Sequence, residues 1–315
     1  MRTVDVIIPA YRPGEEFEKL LFRLSEQEYP VEHILVMNTE EMYWNRKWEE
    51  QFPKLVVHHL EKKDFDHGGT RRQAASLSGA DILVFMTQDA LPADRELIGR
   101  LIRPILEDKR VGASYARQLP REDCGFLERY TRSFNYPETS VVKWEKDTRK
   151  LGIKAYFCSN VCAAYDNAIY QETGGFEQKA IFNEDMIYAA SMAKRGYGIA
   201  YAADACVIHS HNYSSIQQFH RNFDLGVSQA EHPEIFKEVP SEREGLRLVK
   251  KSFAYLLKSG HILLIPQLIC QSGFKYAGYF LGKRYKKLPG KMIRFCTMNQ
   301  EYWDRCASME DSKSL

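Results

Sequence analysis

"DILVFMTQDALP", residues 81–92, opens with an unbroken apolar run from Ile82 to Met86 and then turns polar. A run this short, flanked by Asp81 on one side and Thr87 and Gln88 on the other, reads as a strand buried on both faces, as in the parallel sheets of α/β proteins. Asp89 stands just past its end, at the carboxyl edge where open α/β sheets bind their ligands. Asp89 has two readings: a turn or helix-capping residue ahead of Pro92, or a carboxylate turned toward a ligand. Which one holds depends on what else the chain brings to that edge.

Outward from this strand, elements alternate. Toward the amino terminus, "VDVIIPAY", "HILVMN" and "LVVHHL" read as strands, Phe17, Leu20, Leu21 and Leu24 as one face of a helix, and "GGTRRQAASLSGA" as a helix following paired glycines. Pro92 and Asp94 are expected to open the next helix, carrying Leu97, Leu101, Ile102 and Ile105, with proline in its first turn. Further on, "VGASYARQ" and "YFCSNVCAAY" read as strands and residues 120–150 as charged and turn-rich. A helix ending at Gly174 and Gly175 follows, then a helix over "NEDMIYAASMAKRGY" and a last strand, "GIAYAADACVIHS". Strand alternating with helix predicts a doubly wound α/β sheet. Beyond about residue 240 the chain becomes helical, basic and aromatic, an appended region.

Bulk properties bound the function. The 315 residues suffice for a large domain with an appendage, and 44% hydrophobic with 27% charged residues is globular. A net charge of +2 excludes a polyelectrolyte binder of nucleic acid. Seven cysteines without a paired framework fit free thiols in a reducing cytosol, and Cys158 and Cys162, within one expected strand, read as small core residues rather than a metal site. The start, "MRTVDVIIPAY", reads as a strand and not a signal peptide, and "HILLIPQLIC" falls short of the roughly 20 residues of a spanning helix.

Three further stretches carry chemistry. In "DFDHGGTRR", residues 64–72, Gly68 and Gly69 let backbone approach a ligand, helix-start amides face an anion, and Arg71 offers charge-assisted bonds; a plain turn with a solvated arginine is the other reading. In "FNEDMIYAA", residues 182–190, Asn183 is expected to cap a helix whose first turn holds Glu184 and Asp185, where the helix dipole favours carboxylates. Adjacent residues point about 100° apart on a helix, so one acid can pair with the protein while the other faces a cleft. In "VIHSHNYSS", His209 and His211 alternate on a strand end and share a face, fit for a metal or a phosphate.

The order of these features, "VIIPAY", a glycine-bearing loop with arginine, a strand ending in an aspartate, a Glu-Asp pair at a helix start and a following histidine, resembles the family-2 inverting glycosyltransferases of the GT-A fold over roughly residues 3–225. "FDHGGTR" and "TQDA" resemble the bacterial branch of rhamnosyltransferases that build surface polysaccharides. The resemblance implies a Rossmann-like doubly wound mixed sheet, with residues 1–235 as the nucleotide-sugar-binding catalytic domain and 236–315 as a C-terminal helical extension. It implies a divalent cation, Mg²⁺ or Mn²⁺, on Asp89 with His209 or His211, Asp185 as catalytic base beside Glu184, and a nucleotide-sugar donor contacted by Pro9, Tyr11, Asn38, Asp66, His67, Gly68, Gly69, Arg71 and Gln88. Thr87 stands where the family's first metal-binding acid usually does, which leaves a sparse cage for a hard cation.

The acceptor implied is a glycan or a lipid-linked hydroxyl, and the expected location is cytoplasmic. The basic, aromatic tail either lies at an anionic membrane surface, the inner face of the cell membrane, or packs as helices against the catalytic domain or a partner subunit. Two rival functions fit the same residues. A sugar-phosphate nucleotidyltransferase wants a glycine-rich loop after the first strand, where "PAYRPG" offers one glycine; a membrane-associated assembly subunit would keep the fold without turnover.

Overall fold

The computed structural model of the chain describes residues 1–313. Its strands are β1 (Val4–Tyr11), β2 (His33–Thr39), β3 (Leu55–Leu60), β4 (Ile82–Met86), β5 (Leu91–Pro92), β6 (Val111–Leu119), β7 (Val141–Lys143), β8 (Cys162–Asp166) and β9 (Gly198–Ile208). They form one mixed sheet in the order β3-β2-β1-β4-β8-β6-β9-β5, with β7 pairing on β9. β3, β2, β1 and β4 are parallel neighbours, while β8 runs antiparallel to both β4 and β6. The chain reverses direction across the sheet at β1 and β4, so the ends of these strands face the crevice where α/β sheets take ligands.

Alternation along the central strands feeds two cores. Ile82, Val84 and Met86 of β4 join Val4, Val6 and Ile8 of β1 on one face, while Leu83 and Phe85 join Ile7 on the other. The first face is covered by α1 (Glu15–Ser25), through Phe17, Leu20, Leu21 and Leu24, and the second by α2 (His67–Leu77), through Ala74 and Ala75. Further helices are α3 (Leu97–Glu107), α4 (Phe126–Asn135), α5 (Glu184–Lys194), α6 (Ser215–Glu231), α7 (Glu242–Lys258) and α8 (Ile265–Gly282).

Three local expectations are corrected. Pro92 does not open a helix: α3 begins at Leu97, and Leu91 and Pro92 form β5, which pairs antiparallel with Ile208 and Val207. This pairing has a consequence at the site, because it brings the turn holding Asp89 beside the end of β9, where His209 and His211 follow. "YFCSNVCAAY" is a strand only from Cys162, with Ser159–Asn160–Val161 making the approach to it. Residues 120–150 contain helix α4 and strand β7, not only turns.

The helical extension is locked to the rest of the chain. A Cβ on Gly278 or Gly282 of α8 would fall 2.1 Å from the carbonyl oxygens of Phe219 and Phe223 on α6, and one on Gly226 of α6 would fall 2.5 Å from the carbonyl of Tyr279. Glycine at these three positions therefore lets two helices meet at backbone distance. The expected division after residue 235 falls inside the short helix Pro233–Phe236. All seven cysteines are free, and no helix among the described residues is long and apolar enough to cross a membrane.

Candidate active site

Asp89, His209 and His211 converge. Asp89 Oδ2 lies 3.5 Å from His209 Nε2 and 3.3 Å from His211 Nε2, and one ligand atom from each residue lies within 4.8 Å of the others. Both imidazoles face the group, as their alternation on the strand end requires. The donor set fits a divalent cation on local grounds. Gln118 Oε1 accepts a hydrogen bond from Arg132, and His209 Nδ1 lies 3.1 Å from that same oxygen. A neutral His209 therefore places its proton on Nδ1 and turns a bare Nε2 toward a carboxylate, an arrangement that a cation between them resolves. Where no cation lies between them, burial works against the charge on Asp89, but a protonated His209 donating to it, with the charge of His211, outweighs burial and holds the carboxyl well below the usual range. Burial, reinforced by His209, pushes His211 down to about 4.

The second group is built at the start of α5. Asp66 caps α2, its Oδ1 accepting from the amides of Gly68 at 3.0 Å and Gly69 at 2.7 Å. Gly68 and Gly69 serve packing: a Cβ on either would fall 2.3 Å from Glu177 O or 2.7 Å from Gln178 O. This corrects the expectation of a phosphate loop, since the amides are occupied by Asp66 and the space by backbone. The 177–182 segment so docked leads to Asn183, whose backbone is left-handed (φ 63°) and whose side chain makes no capping bond. Asparagine tolerates that conformation better than most residues, so its place here is conformational.

Glu184 and Asp185 then divide as their angular offset predicts. Glu184 Oε1 meets Arg71 Nη1 at 3.2 Å, with both side chains over 90% buried, and accepts from Asn160 Nδ2 at 3.2 Å. Arg71, expected to face phosphate, is thus the counter-ion of Glu184. Among the described residues Asp185 has no cation of its own; its Oδ2 accepts from the Asn160 amide at 2.9 Å and its Oδ1 from the Met186 amide at 2.8 Å. Burial and the neighbouring Glu184 charge push its pKa up to about 7 against these bonds. Glu184 goes the other way, because the charge of Arg71 overcomes its burial. His67 lies alongside, its pKa lowered by burial.

One cavity of about 400 Å³ is lined by His67, Arg71, Asp89, Glu184, Asp185, His209 and His211, together with residues that sequence reasoning did not single out, among them Gln118, Arg132, Asn160, Arg221 and Lys275. Asn160 carries a signal in hindsight: Ser-Asn is out of character inside a strand otherwise made of small apolar residues. Pro9, Tyr11, Asn38, Asp66, Gly68, Gly69 and Gln88 are outside this lining. Gln88 clamps the end of β1, accepting from the Tyr11 amide at 2.8 Å and donating to its carbonyl at 3.1 Å. Asn38 is fully buried and bonds Glu40 O and His59, so it shapes the end of β2 and is not presented to a ligand. Tyr11 is partly exposed, beside Tyr43 and Arg12.

With the geometry in place, comparison with known proteins identifies the chain. Residues 5–174 match the family model described as glycosyl transferase family 2. The chain belongs to that family. It is similar to the O-antigen chain rhamnosyltransferase RfbN of Salmonella typhimurium, 36% identical over 303 residues, and to WbaN of Salmonella anatum, 34% identical over 307, with 96% of each chain covered in both cases. Among solved structures it is similar to the mannosyltransferase PcManGT from Pyrobaculum calidifontis in complex with GDP-Man and Mn²⁺, with a TM-score of 0.64 at 17% identity over 90% of this chain and 88% of that one. It is also similar to S. aureus TarS 1–349 in complex with UDP-GlcNAc, with a TM-score of 0.52 at 14% identity over 90% and 91%. These likenesses show the shared GT-A fold, and family membership makes the chain a glycosyltransferase, setting aside the nucleotidyltransferase alternative.

The two acids of the family-2 chain should differ in what they hold together. Glu184→Gln strands the buried Arg71 charge and is expected to cost about 3–5 kcal/mol, whereas Asp185→Asn, which removes a carboxylate already penalised by burial, should cost less than half as much in urea unfolding at pH 8. Equal losses would contradict this division.

Proposed function

We propose that the chain transfers rhamnose from TDP-rhamnose, with inversion at the anomeric carbon, to a hydroxyl of a glycan or lipid-linked acceptor in cell-surface polysaccharide synthesis. The observation that carries the reaction is the sharing of one cavity by Asp185 and the Asp89–His209–His211 group. The activity in the names of the two full-length relatives supports the donor sugar.

Asp185 is the base in this reading. Each of its oxygens accepts one backbone N–H and keeps a second lone pair for the proton of the acceptor hydroxyl. A carboxyl poised near 7 is a stronger base than an ordinary one and still ionises at neutral pH. Glu184, kept ionised by Arg71, places a negative charge beside Asp185 that raises its affinity for the proton. Asp89, His209 and His211 would hold Mg²⁺ or Mn²⁺, which when bound supplies positive charge against the leaving diphosphate. His67 buttresses the same wall. The nucleotide lies farther along the sheet edge, over Pro9 and Tyr11, where the Arg12 guanidinium sits 4.6 Å from the Tyr43 ring.

The lipid-linked acceptor draws on the outer face of α8. Ile269, Tyr276 and Phe280 recur there at helical spacing, 62%, 64% and 40% exposed, opposite the buried Gly278 and Gly282. The helix is followed by Lys283, Arg284, Lys286 and Lys287. An apolar stripe running into a basic cluster matches an anionic bilayer, here the cytoplasmic face of the cell membrane.

Three outcomes are expected. Asp185→Asn should lower rhamnosyl transfer from TDP-rhamnose about 10²–10⁴-fold with donor binding retained, and wild-type kcat/KM should rise as pH passes through about 7, where Asp185 loses its proton. Undiminished turnover in the variant would remove Asp185 from the reaction. In cosedimentation, phosphatidylglycerol vesicles should retain the chain at low salt and phosphatidylcholine vesicles should not, with Phe280→Ser weakening retention; equal partition into both would end the membrane assignment.

A further inference from the structure

Two of the four cations lining the cavity are not ion-paired with its carboxylates. Arg71 is paired with Glu184, and Arg132 with Glu128 at 2.7 Å. Asp89 is engaged by two histidines and Asp185 by two backbone amides. The two cations that remain are Arg221 on α6 and Lys275 on α8, and neither has a carboxylate within ion-pair distance among the described residues. Arg221 is held over aromatic faces, its guanidinium carbon 4.6 Å from the Phe182 ring and 5.7 Å from the Tyr213 ring. Tyr213 in turn lies 4.9 Å from His211. Lys275 is fixed from behind: Gly278 and Gly282, three and seven residues on and so on the same helix face, lock α8 against the backbone of α6. Burial pushes the Lys275 ammonium pKa down, and the charges of Arg221 and Arg132 add to that against the opposing pull of Glu128.

The two unpaired cations repel each other, and Lys275 is partly stripped of water by burial, a cost that an anion bound between them removes. A guanidinium fork and a compact ammonium together suit a phosphate or diphosphate. We propose that Arg221 and Lys275 form a second anion subsite of the catalytic cavity, which takes the phosphate or diphosphate carried by the acceptor. The inference rests on the reading of the chain as a transferase with a lipid-linked acceptor. The donor's diphosphate has its own place at the Asp89 group. The two residues also lie beyond the segment, 5–174, that matches the family model, Arg221 on α6 and Lys275 on α8, the helix that presents the apolar stripe. One face of α8 would meet the lipid surface while the opposite face receives the charged headgroup.

The test is isothermal titration of the full chain with geranyl diphosphate and with geraniol, alone and with dTDP and Mn²⁺ at saturation. Geranyl diphosphate should bind with and without the nucleotide, and geraniol at least tenfold more weakly. Arg221→Met and Lys275→Met should each weaken geranyl diphosphate at least tenfold with an unchanged circular-dichroism spectrum, and Lys275→Arg should restore it. Unchanged binding in the methionine variants, geraniol binding as tight as that of its diphosphate, or displacement of geranyl diphosphate by dTDP would each overturn the subsite. Failure of dTDP itself to bind, read in its own titration, would count against the donor assignment, and the effect of the variants on geranyl diphosphate alone would still decide the cluster.

Discussion

The buried contact between Arg71 and Glu184 is the constraint on which the site depends. It joins the amino-terminal halves of two helices that lie more than a hundred residues apart in the chain, and it does so out of water, where a charge without a partner is costly. The surrounding residues serve that contact. Asp66 starts α2 in the right place, the two glycines after it admit the backbone of residues 177 and 178, and Asn183 takes the left-handed turn from which α5 departs. A side chain on either glycine would push that backbone away and carry Glu184 with it.

Neutralising one carboxylate determines the behaviour of the next. Glu184 ionises readily because Arg71 is there, and its charge then makes ionisation of Asp185 harder. Two neighbouring acids of nearly equal intrinsic strength are thereby driven apart, one fixed as a structural anion and the other poised near neutrality. Asp89 is treated in the opposite manner. Two imidazoles and the small strand β5, which holds its turn against β9, keep it charged and available to a cation. The cavity thus contains a proton acceptor and a cation-holding group with separate supports.

Local sequence carried much of this. Ile82–Met86 as a strand, Asp89 at its end, the Glu-Asp pair in a helix's first turn and the shared face of His209 and His211 all follow from periodicity and spacing, which are properties of adjacent residues. What escaped is non-local. Gly68 and Gly69 look as if they make room for a phosphate, and only the folded chain reveals that residues 177 and 178 occupy that room. Arg71 looks solvated until Glu184 is brought to it. Pro92 has the composition of a helix start, yet pairing with β9 outweighs that preference. Asn160, bonding both acids, sits where apolar neighbours give the pattern of a strand, and Lys275 reaches the cavity from a helix more than fifty residues past the last expected site residue.

The central claim is that Asp185 is held protonated to near neutral pH by burial beside an ionised Glu184. Its most direct measurement is a carboxyl ¹³C titration of the chain, with the Asp185 resonance assigned by its loss in Asp185→Asn. The account predicts a midpoint of about 7 for that resonance; a midpoint near 4, the value of an ordinary aspartate, would contradict it.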